Sequence, residues 1–209
     1  MIFGQKIWNY YASWYDKLWV QKFVLKPSRN LILKTMTEIT SFDTVLDFGC
    51  GIGELCRDIN DHYPTAKILG IDPSTKMIER AKKETFNDNI RFKSGFVMDL
   101  PEKTQYDLIV STNAFPYVMD KKESLEKIHK LLKPNGRLLL LFANNNNLYD
   151  ALWLMFVKLS TSKAQYLSVA STKTLLQVCG FSIGRVERIN GPFLLPSVYM
   201  IEGIANKNL

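Results

Sequence analysis

Residues 45–55 read VLDFGCGIGEL, an apolar run that contains one acid and then opens into alternating glycines at 49, 51 and 53. Glycine lets the backbone turn tightly and approach a ligand without a Cβ in the way. The residues after the loop have a helical pattern, and the free N–H groups of a helix N-terminus suit polar or negative ligand atoms. The stretch therefore predicts a strand, a ligand-binding loop and a helix in succession. A plain tight turn is the alternative.

The spacing of these glycines discriminates between nucleotide ligands. The dinucleotide fingerprint after a strand is G-x-G-x-x-G, but here the third glycine comes one residue early and Glu54 occupies the expected position. A glutamate beside a pyrophosphate would be repulsive, which counts against NAD or FAD. About twenty residues later Asp72 ends the next predicted strand, where a carboxylate accepts hydrogen bonds from ribose hydroxyls. Together with Asp47, it suits a ligand with a ribose, a cationic amino group and no phosphate. S-adenosylmethionine is such a ligand.

Strands and helices alternate along the middle of the chain. Apolar runs predict strands at 43–48, 66–71, 89–95, 106–112 and 137–143. Amphipathic segments predict helices at 53–63, 75–84 and 121–133, with Ser74 as an N-cap and PNG (134–136) as a stop. This alternation is typical of a parallel sheet with helices on both sides. After a helix at 172–180, two strands with no helix between them predict a hairpin and one antiparallel strand.

The whole chain, 1–209, is predicted to form a single domain with four parts. They are an aromatic-rich helical N-terminal cap (1–40), a ligand-binding core (41–143), an insertion or lid (144–171) and a terminal helix with the hairpin (172–209).

Charge and composition narrow the class of protein. The formal net charge of +7 favours anionic partners, but no Lys/Arg block is long enough for a nucleic-acid arm. Three cysteines and two histidines form no ligand pattern, so no metal site is predicted. No stretch reaches the ~18 apolar residues of a membrane span, and the N-terminus lacks the apolar core of a signal peptide. These features predict a cytoplasmic protein with reduced thiols.

Four stretches, in this order and spacing, resemble the class I S-adenosylmethionine-dependent methyltransferases of the small-molecule type. They are VLDFGCGIG (45–53), ILGIDPSTKMIERAKK (68–83), YDLIVSTNAFPYV (106–118) and LLKPNGRLLLL (131–141). The resemblance implies an α/β, Rossmann-like fold with a seven-stranded, mostly parallel sheet in the order 3-2-1-4-5-7-6, strand 7 being antiparallel. It also implies that the chain is a methyltransferase whose cofactor is S-adenosyl-L-methionine.

The resemblance also assigns cofactor-binding residues. The predicted set is Tyr15, Asp47, Gly49, Cys50, Gly51, Asp72, Pro73, Met77, Phe96, Val97 and Asn113. Gly49 and Gly51 would line the methionine part, and Asp47 would sit near the amino group through a water molecule. Asp72 would bind the ribose hydroxyls, although it could serve only as an acid at a helix N-terminus. Pro73 and Met77 would pack near the adenine, with Met77 as a core residue the alternative for that position.

One position departs from the pattern of the family. Many relatives have Gly-Asp-Ala before Leu-Pro, and that aspartate accepts from the adenine amino group, whereas this chain has Phe96 there. We therefore expect packing and the backbone of Phe96 and Val97 to hold the adenine, with Asp99 as a substitute acceptor.

The acceptor site is predicted from segments around the core. The loop NAFPYV (113–118) faces the methyl group in relatives, and YASWYD (11–16) resembles a helix that closes over the cofactor. The candidate catalytic residues are therefore Tyr15, Asn113 and Tyr117, with Tyr11 as a further contact, and no residue is placed as a general base. The loop lacks the Asn-Pro-Pro-Tyr of nucleic-acid amino methylases, which argues against a nucleic-acid acceptor.

The composition around this site indicates the type of acceptor. Trp153, Phe156 and residues 191–196 are predicted to add apolar walls, and the cap combines aromatic with basic side chains, among them Trp14, Trp19, Lys6, Lys17, Lys22 and Lys26. This pattern predicts a small hydrophobic or lipid-like acceptor. Three alternatives stay open: a phospholipid N-methyltransferase with peripheral membrane contact, a non-catalytic S-adenosylmethionine-binding protein, and an aromatic stripe that only packs against the core.

Overall fold

The computed structural model describes residues 8–10, 12–13, 15, 21–161, 164–189 and 195–207. Its strands are β1 (Thr44–Phe48), β2 (Lys67–Asp72), β3 (Ile90–Ser94), β4 (Tyr106–Thr112), β5 (Leu132–Ala143), β6 (Phe181–Arg188) and β7 (Val198–Ala205). Its longer helices are α1 (Lys26–Met36), α2 (Glu54–His62), α3 (Thr75–Lys83), α4 (Lys121–Leu131), α5 (Leu148–Thr161) and α6 (Val169–Val178). A π-helical turn (Gln21–Leu25) precedes α1, and 3₁₀ turns cover Val97–Asp99 and Phe115–Tyr117.

The strands form one sheet in the order β3-β2-β1-β4-β5-β7-β6. β7 pairs antiparallel with β5 and with β6, and the other neighbouring pairs are parallel. A parallel pair needs a long crossover, which the helices between the strands provide, whereas the antiparallel β6 and β7 need only a hairpin connection. The predicted fold class and strand order are confirmed.

The apolar strands separate two hydrophobic cores. Val45, Leu108 and Leu139 pack on one face of the sheet with α1, α2 and α3. Their neighbours Leu46, Ile109 and Leu138 pack on the other face with α4 and α6. Because successive side chains of a strand point to opposite faces, a strand with helices on both sides is apolar at every position. The unbroken run at 138–142 in β5 has this cause.

The start of α3 and the end of α6 lie where the sequence signals predicted them. The Ser74 hydroxyl accepts a hydrogen bond from the Met77 N–H at 3.2 Å and caps α3. Gly180 follows α6 with φ +89°, the left-handed conformation that ends many helices. The α6 helix itself begins at Val169, earlier than predicted, because the Ser168 hydroxyl accepts from the Ser171 N–H at 3.0 Å.

The segment PNG does not act as predicted. We expected residues 134–136 to stop a helix that reached residue 133, but α4 ends at Leu131 and β5 starts at Leu132. The register between β4 and β5 shifts, since Tyr106 pairs with Leu132 whereas Leu108 pairs with Arg137. Asn135 has φ +60° within this irregularity. The turn signal is therefore absorbed as a bulge inside a longer strand.

An acid in the apolar helix α5 has a structural role. Asp150 is almost fully buried, and its carboxylate accepts hydrogen bonds from the Ser197 N–H at 2.8 Å and the Asn146 N–H at 3.2 Å. It thereby ties the start of α5 to the segment that leads into β7. Within the described ranges, no helix is long and apolar enough to cross a membrane.

The strand order places the ends of β1 and β4 side by side. From β1 the sheet continues through β2 to one edge, and from β4 it continues through β5 to the other edge, so the chain adds strands in opposite directions from this central pair. Such a reversal opens a crevice at the carboxyl ends of the strands, where ligands bind in open α/β sheets. The glycine loop, Asp72 and the loop after β4 meet at this edge.

Candidate cofactor and acceptor site

A cavity of about 410 Å³ opens at this crevice. Its cofactor side is formed by residues at or just after the ends of β1, β2, β3 and β4, namely Gly49, Gly51, Asp72, Pro73, Met77, Phe96, Val97, Asp99 and Asn113. Its acceptor side is formed by the rings of Trp8, Tyr15 and Tyr117. We use "cofactor side" and "acceptor side" for these two sets below.

The glycine loop is held by the neighbouring strand. The N–H groups of Gly49 and Cys50 both donate to the Ile71 carbonyl, at 2.7 and 3.0 Å. Gly49 has φ +76°, and a Cβ at this position would lie 2.1 Å from the Cβ of Ala114. Gly51 has φ +53°, and a Cβ there would meet only the Tyr15 ring at 3.9 Å. Gly49 is thus required by close packing, whereas Gly51 leaves open space on the cavity side.

Asp72 connects this loop to the end of β2. Its carboxylate accepts from the Ser74 N–H at 2.8 Å and from the Gly51 N–H at 3.1 Å, and it lies on the cavity wall. Burial raises the pKa of Asp72 to about 6, although both hydrogen bonds act in the opposite direction. Each carboxylate oxygen keeps a second acceptor position, so the group can also receive the hydroxyls of a ribose.

Two predicted cofactor residues, Asp47 and Cys50, lie behind the cavity wall. Asp47 is almost fully buried in β1, where one oxygen accepts from the Cys56 thiol at 3.4 Å and the other has no partner. Burial raises the pKa of Asp47 to about 7. A buried carboxylate oxygen normally has a donor, and a water molecule or the ammonium group of a bound amino acid would supply one. The chemistry of these residues thus fits a cofactor with a ribose and an amino-acid part.

The Cys50 side chain faces the sheet. A Cβ on Gly70 of β2 would lie 3.0 Å from the Cys50 sulfur. The Cys50 thiol is buried, and burial raises its pKa well above the ordinary value. Its side chain therefore packs beneath the glycine loop, and only its backbone belongs to the loop that faces the ligand.

The adenine region is closed by a hydrogen-bonded turn. The Phe96 N–H donates to the Asp99 carboxylate at 2.8 Å, and the Phe96 carbonyl accepts from the Asp99 N–H at 3.0 Å. The N–H of Phe96, which we expected to serve the adenine, is therefore already in use. The Phe96 ring is 40% exposed at the cavity mouth, and Val97 and Met77 are buried beside it. Apolar packing is therefore available to an adenine in this region, and the expected role of the Val97 backbone stays a prediction.

Three aromatic rings surround the acceptor side. The Trp8 ring packs edge to face on Tyr117, with ring centroids 5.2 Å apart, and on Tyr15, at 6.3 Å. Burial raises the pKa of Tyr166, and the neighbouring Tyr117 raises it further. Burial raises the pKa of Tyr15, and the charges of Glu54 and Asp72 raise it further. Tyr15 is therefore a neutral phenol at physiological pH.

The candidate Asn113 stands between the two sides. It has φ +59°, a conformation that asparagine tolerates better than most residues. Its N–H donates to the Leu141 carbonyl at 2.6 Å, and its side-chain amide contacts the Ser28 hydroxyl of α1 at 3.4 Å. The structure thus brings all three candidate catalytic residues, Tyr15, Asn113 and Tyr117, to one cavity.

The N-terminal cap is attached to the glycine loop through Glu54. The Arg29 guanidinium pairs with Glu54 at 3.1 Å and with Asp58 at 2.8 Å. The Gln21 amide donates to Glu54 at 3.0 Å and to the Tyr15 carbonyl at 3.4 Å. Sequence reasoning interpreted Glu54 only as a group that repels pyrophosphate and missed Arg29 and Gln21. The available signal was a charged residue at the first turn of α2 with no assigned partner.

Several predicted acceptor walls lie elsewhere. Trp153 does not line the cavity, because its indole N–H donates to the Tyr149 hydroxyl within α5 at 3.1 Å. Leu195 and Pro196 of the predicted wall 191–196 do not line the cavity either. The other predicted acceptor groups lie outside the described residues, namely the Phe156 side chain, Lys6, Tyr11, Trp14, Lys17, Trp19 and 191–194. Lys22 and Lys26 are exposed on the π-helical turn and α1.

The cavity wall also contains groups that sequence reasoning missed. They are Trp8, Met98, Met119, Asp120, Glu123 and Ser124. Together with Asp72 and Asp99, the wall has four carboxylates, and the described part of it includes no Lys, Arg or His. The described residues also contain no cluster of His, Cys, Asp or Glu able to hold a metal ion.

Comparisons with known proteins identify one family. The profile of a family described as a methyltransferase domain matches residues 39–192. Malonyl-[acyl-carrier protein] O-methyltransferase of Priestia megaterium is 34% identical over 137 residues, which are 65% of this chain and 49% of the relative. Demethylmenaquinone methyltransferase of Lactococcus lactis is 32% identical over 142 residues, or 64% and 55% of the two chains. The chain spans about half the length of the curated relatives it matches.

Solved structures share the fold. A putative methyltransferase, in complex with the Haloferax volcanii Trm112 methyltransferase activator, matches with a TM-score of 0.78 at 20% identity, over 96% of this chain and 98% of the other. Magnesium protoporphyrin IX methyltransferase of Synechocystis with bound S-adenosylhomocysteine matches with a TM-score of 0.71 at 19% identity, over 90% and 88%.

Proposed function

We propose a function for this chain on the basis of its family, since it belongs to the class I S-adenosylmethionine-dependent methyltransferases. The proposed activity is methyl transfer from S-adenosylmethionine to a small, mainly apolar acceptor that carries no negative charge. When bound, the cofactor supplies an electrophilic methyl group on a sulfonium. The protein then has to hold donor and acceptor in line, which can contribute roughly 7–11 kcal/mol toward the barrier.

One observation carries the cofactor part of the proposal. The Asp72 carboxylate is fixed by the Gly51 N–H and lines the same cavity as Gly49 and Ala114, which are in close contact. A rigid acid at this place selects a ligand with adjacent hydroxyl groups, and the partnerless oxygen of Asp47 suits an ammonium group beside the loop. In this proposal Asp72 binds ribose and Asp47 acts through a water molecule.

The walls support the choice of acceptor. Trp8, Tyr15 and Tyr117 offer aromatic surface, and Met98 and Met119 are exposed at the mouth, where flexible thioethers fit different apolar shapes. An anionic acceptor would approach four carboxylates without a described cation to compensate them. An uncharged acceptor, or a cation that rests on the aromatic faces, avoids this repulsion. A phosphate-bearing acceptor is disfavoured for the same reason.

The roles of the acceptor-side residues follow from their chemistry. Tyr15 and Tyr117 are phenols that can orient an acceptor by hydrogen bonds while their rings exclude water. Asn113 offers an amide between acceptor and cofactor. None of the three is placed as a general base, so the proposal favours an acceptor atom that is nucleophilic without prior deprotonation, such as an amine nitrogen.

Binding is tested first, by calorimetry with S-adenosylmethionine, S-adenosylhomocysteine and NAD. We expect binding of the first two and none of NAD. We expect the change Asp72→Ala to weaken binding by about 1.5–3 kcal/mol, since it removes charge-assisted hydrogen bonds. Binding of NAD alone would overturn the proposal.

Transfer is tested with methyl-labelled cofactor and acceptors that share one aromatic skeleton but end in an amine, an alcohol or a carboxylate. Lipid extract and nucleic acid are assayed in parallel. Label in the amine or alcohol supports the proposal. Label confined to the lipid fraction would favour a phospholipid N-methyltransferase at the membrane surface, and label confined to the carboxylate or the nucleic acid would contradict the proposed acceptor. Cofactor binding without transfer to any fraction would favour a non-catalytic binding protein.

A further inference from the structure

Lys121, the first residue of α4, is a buried cation outside the cavity wall. Its side chain is 7% exposed, and its ammonium group donates to the Val118 carbonyl at 2.7 Å and to the Pro116 carbonyl at 3.3 Å. The same group lies 5.6 Å from the centre of the Phe115 ring. Lysine is almost never buried without a partner, because removing an ammonium group from water is costly. Here its partners are backbone carbonyls and one aromatic ring.

The charged neighbours of Lys121 have other partners. Asp120 caps α4 by accepting from the Glu123 N–H at 2.8 Å, and Lys122 pairs with Glu126 at 3.3 Å. Tyr166, whose segment contacts the same turn through the Gln165 N–H, has its pKa raised by burial and by Tyr117. Among the described residues, no carboxylate forms an ion pair with Lys121. Burial lowers the pKa of Lys121 to about 8.

Both carbonyls belong to the turn that carries the acceptor side. Phe115–Tyr117 is a 3₁₀ turn, and both Tyr117 and Val118 line the cavity. The Pro116 carbonyl also accepts from the Gln165 N–H at 2.8 Å. The segment that contains Gln165 and the ammonium group of Lys121 therefore bind the same carbonyl.

We propose that Lys121 is a positioning residue, whose ammonium group holds the turn 115–118 and thereby sets Tyr117 and Val118 against the cofactor and the acceptor. This inference rests on the proposed function, since it presumes that the cavity binds the methyl donor. Without the ammonium group, two carbonyls lose a donor and the turn can rotate away from the cavity. The effect should reach ligand binding, although Lys121 itself contacts no ligand.

The experiment uses the full chain and S-adenosylhomocysteine as the probe. Lys121→Met keeps the apolar stem and removes the ammonium group, Lys121→Gln keeps a neutral donor, and Lys122→Met is the matched control one residue away. Affinity is measured by calorimetry between pH 7 and pH 9, and amide hydrogen exchange of residues 115–118 is followed without ligand.

We expect Lys121→Met to weaken binding about tenfold at pH 7, as for the loss of a charge-assisted hydrogen bond, and to speed exchange in 115–118. In the wild type, affinity should fall as the pH rises through about 8, and Lys121→Met should lose that part of the pH dependence. Lys121→Gln should recover part of the affinity, and Lys122→Met should match the wild type.

Unchanged exchange in 115–118 in a folded Lys121→Met chain would overturn the inference. The inference would also be wrong if Lys121→Met bound the probe with the affinity and the pH dependence of the wild type. If the wild type itself does not bind the probe, the proposed function fails, and the exchange rates still decide whether Lys121 holds the turn. Exchange in β1 and β4 shows whether the variant is folded.

Discussion

The two sides of the cavity are built differently. The cofactor side consists of strand ends and backbone hydrogen bonds, such as those from Gly49 and Cys50 to the Ile71 carbonyl. The acceptor side joins Trp8 and Tyr15 of the cap to Tyr117 through ring contacts between separate segments of the chain. A site that belongs to the central sheet keeps its geometry, whereas a site assembled from separate segments can change with each of them. This difference suits an enzyme family with one donor and many acceptors.

The largest effect is expected from Gly49→Ala, which tests the rigidity of the cofactor side. The new Cβ would lie 2.1 Å from Ala114, at φ +76°. Backbone strain and overpacking together should cost about 2–4 kcal/mol of unfolding free energy and abolish binding of S-adenosylhomocysteine. Gly51→Ala is the control, because its Cβ has room and only the left-handed φ opposes it. Equal effects of the two changes in calorimetry and thermal unfolding would refute the packing argument.

The next effect concerns Asp47, which tests whether the cofactor side is built for the ligand at the expense of stability. The pKa of Asp47 is raised from 3.8 to about 7. Between these two pKa values Asp47 holds a proton in the folded state but has released it in the unfolded state. The free energy of unfolding therefore falls as the pH rises from about 4 to about 7. Asp47→Asn should remove this loss, on the order of 2–4 kcal/mol.

The check is denaturant unfolding of Asp47→Asn and wild type at pH 4 and pH 8. The variant should gain stability relative to wild type only at pH 8, and it should bind S-adenosylmethionine more weakly, since the amide no longer attracts an ammonium group. A variant that gains no stability at pH 8 would show that the buried carboxylate has a partner in solution.

A smaller effect is expected from Arg29→Met, which tests whether the cap assembles the acceptor side. Arg29 pairs with Glu54 and Asp58, and its side chain is largely buried. Loss of both pairs should cost about 1–2 kcal/mol and speed amide exchange in residues 21–29, while exchange in β1 and β2 stays unchanged. Lys34 lies on the same helix as Arg29 and forms an exposed pair with Glu187 of β6. Lys34→Met should stay within about 0.5 kcal/mol of wild type. If exchange became equally faster in residues 21–29 and in β1 and β2 of Arg29→Met, the proposed difference between the two sides would be wrong.

The smallest effect is expected from Phe96→Asp, which returns the aspartate that relatives carry at the adenine. Phe96 is 40% exposed, so stability should change little. A new acceptor for the adenine amino group should improve S-adenosylhomocysteine affinity about threefold, the order of one solvent-accessible hydrogen bond. The analogue with hypoxanthine in place of adenine lacks the amino group and should show no gain. A gain with both compounds would mean that the new carboxylate acts without recognising the adenine amino group.

The sequence signals of the cofactor side are local. Strand ends, glycine spacing and the acid at residue 72 lie within short stretches, whereas the order of strands was implied by the resemblance of these motifs to a known family. Asp47 and Cys50 show the limit of such reasoning: they belong to the motif, but the pleat of β1 and the fold of the loop turn their side chains behind the wall. The PNG signal at 134–136 shows a second limit, because pairing with β4 absorbed a local turn into a strand.

The acceptor side was predicted in outline but not in detail. Tyr15, Asn113 and Tyr117 were identified because relatives carry an acceptor loop and a closing helix at those places. Trp153 was misplaced, since aromatic composition does not show which way a helix faces, and its partner Tyr149 lies one turn earlier on the same helix. Arg29, Gln21 and Lys121 were missed, because a single buried cation has no sequence pattern.

By itself, the sequence determined the α/β class and the unit of strand, glycine loop and helix, whereas the seven-stranded sheet was implied by its resemblance to a known family. Hydrophobic period and glycine spacing are properties of neighbouring residues, and they dictate which backbone conformations can form. Only the tertiary structure decided that Glu54 holds the cap through Arg29, that Lys121 supports the acceptor turn, and that carboxylates outnumber cations on the described wall of a basic protein. These features depend on residues far apart in the chain, whose charges and rings meet only after the sheet has brought their backbones together.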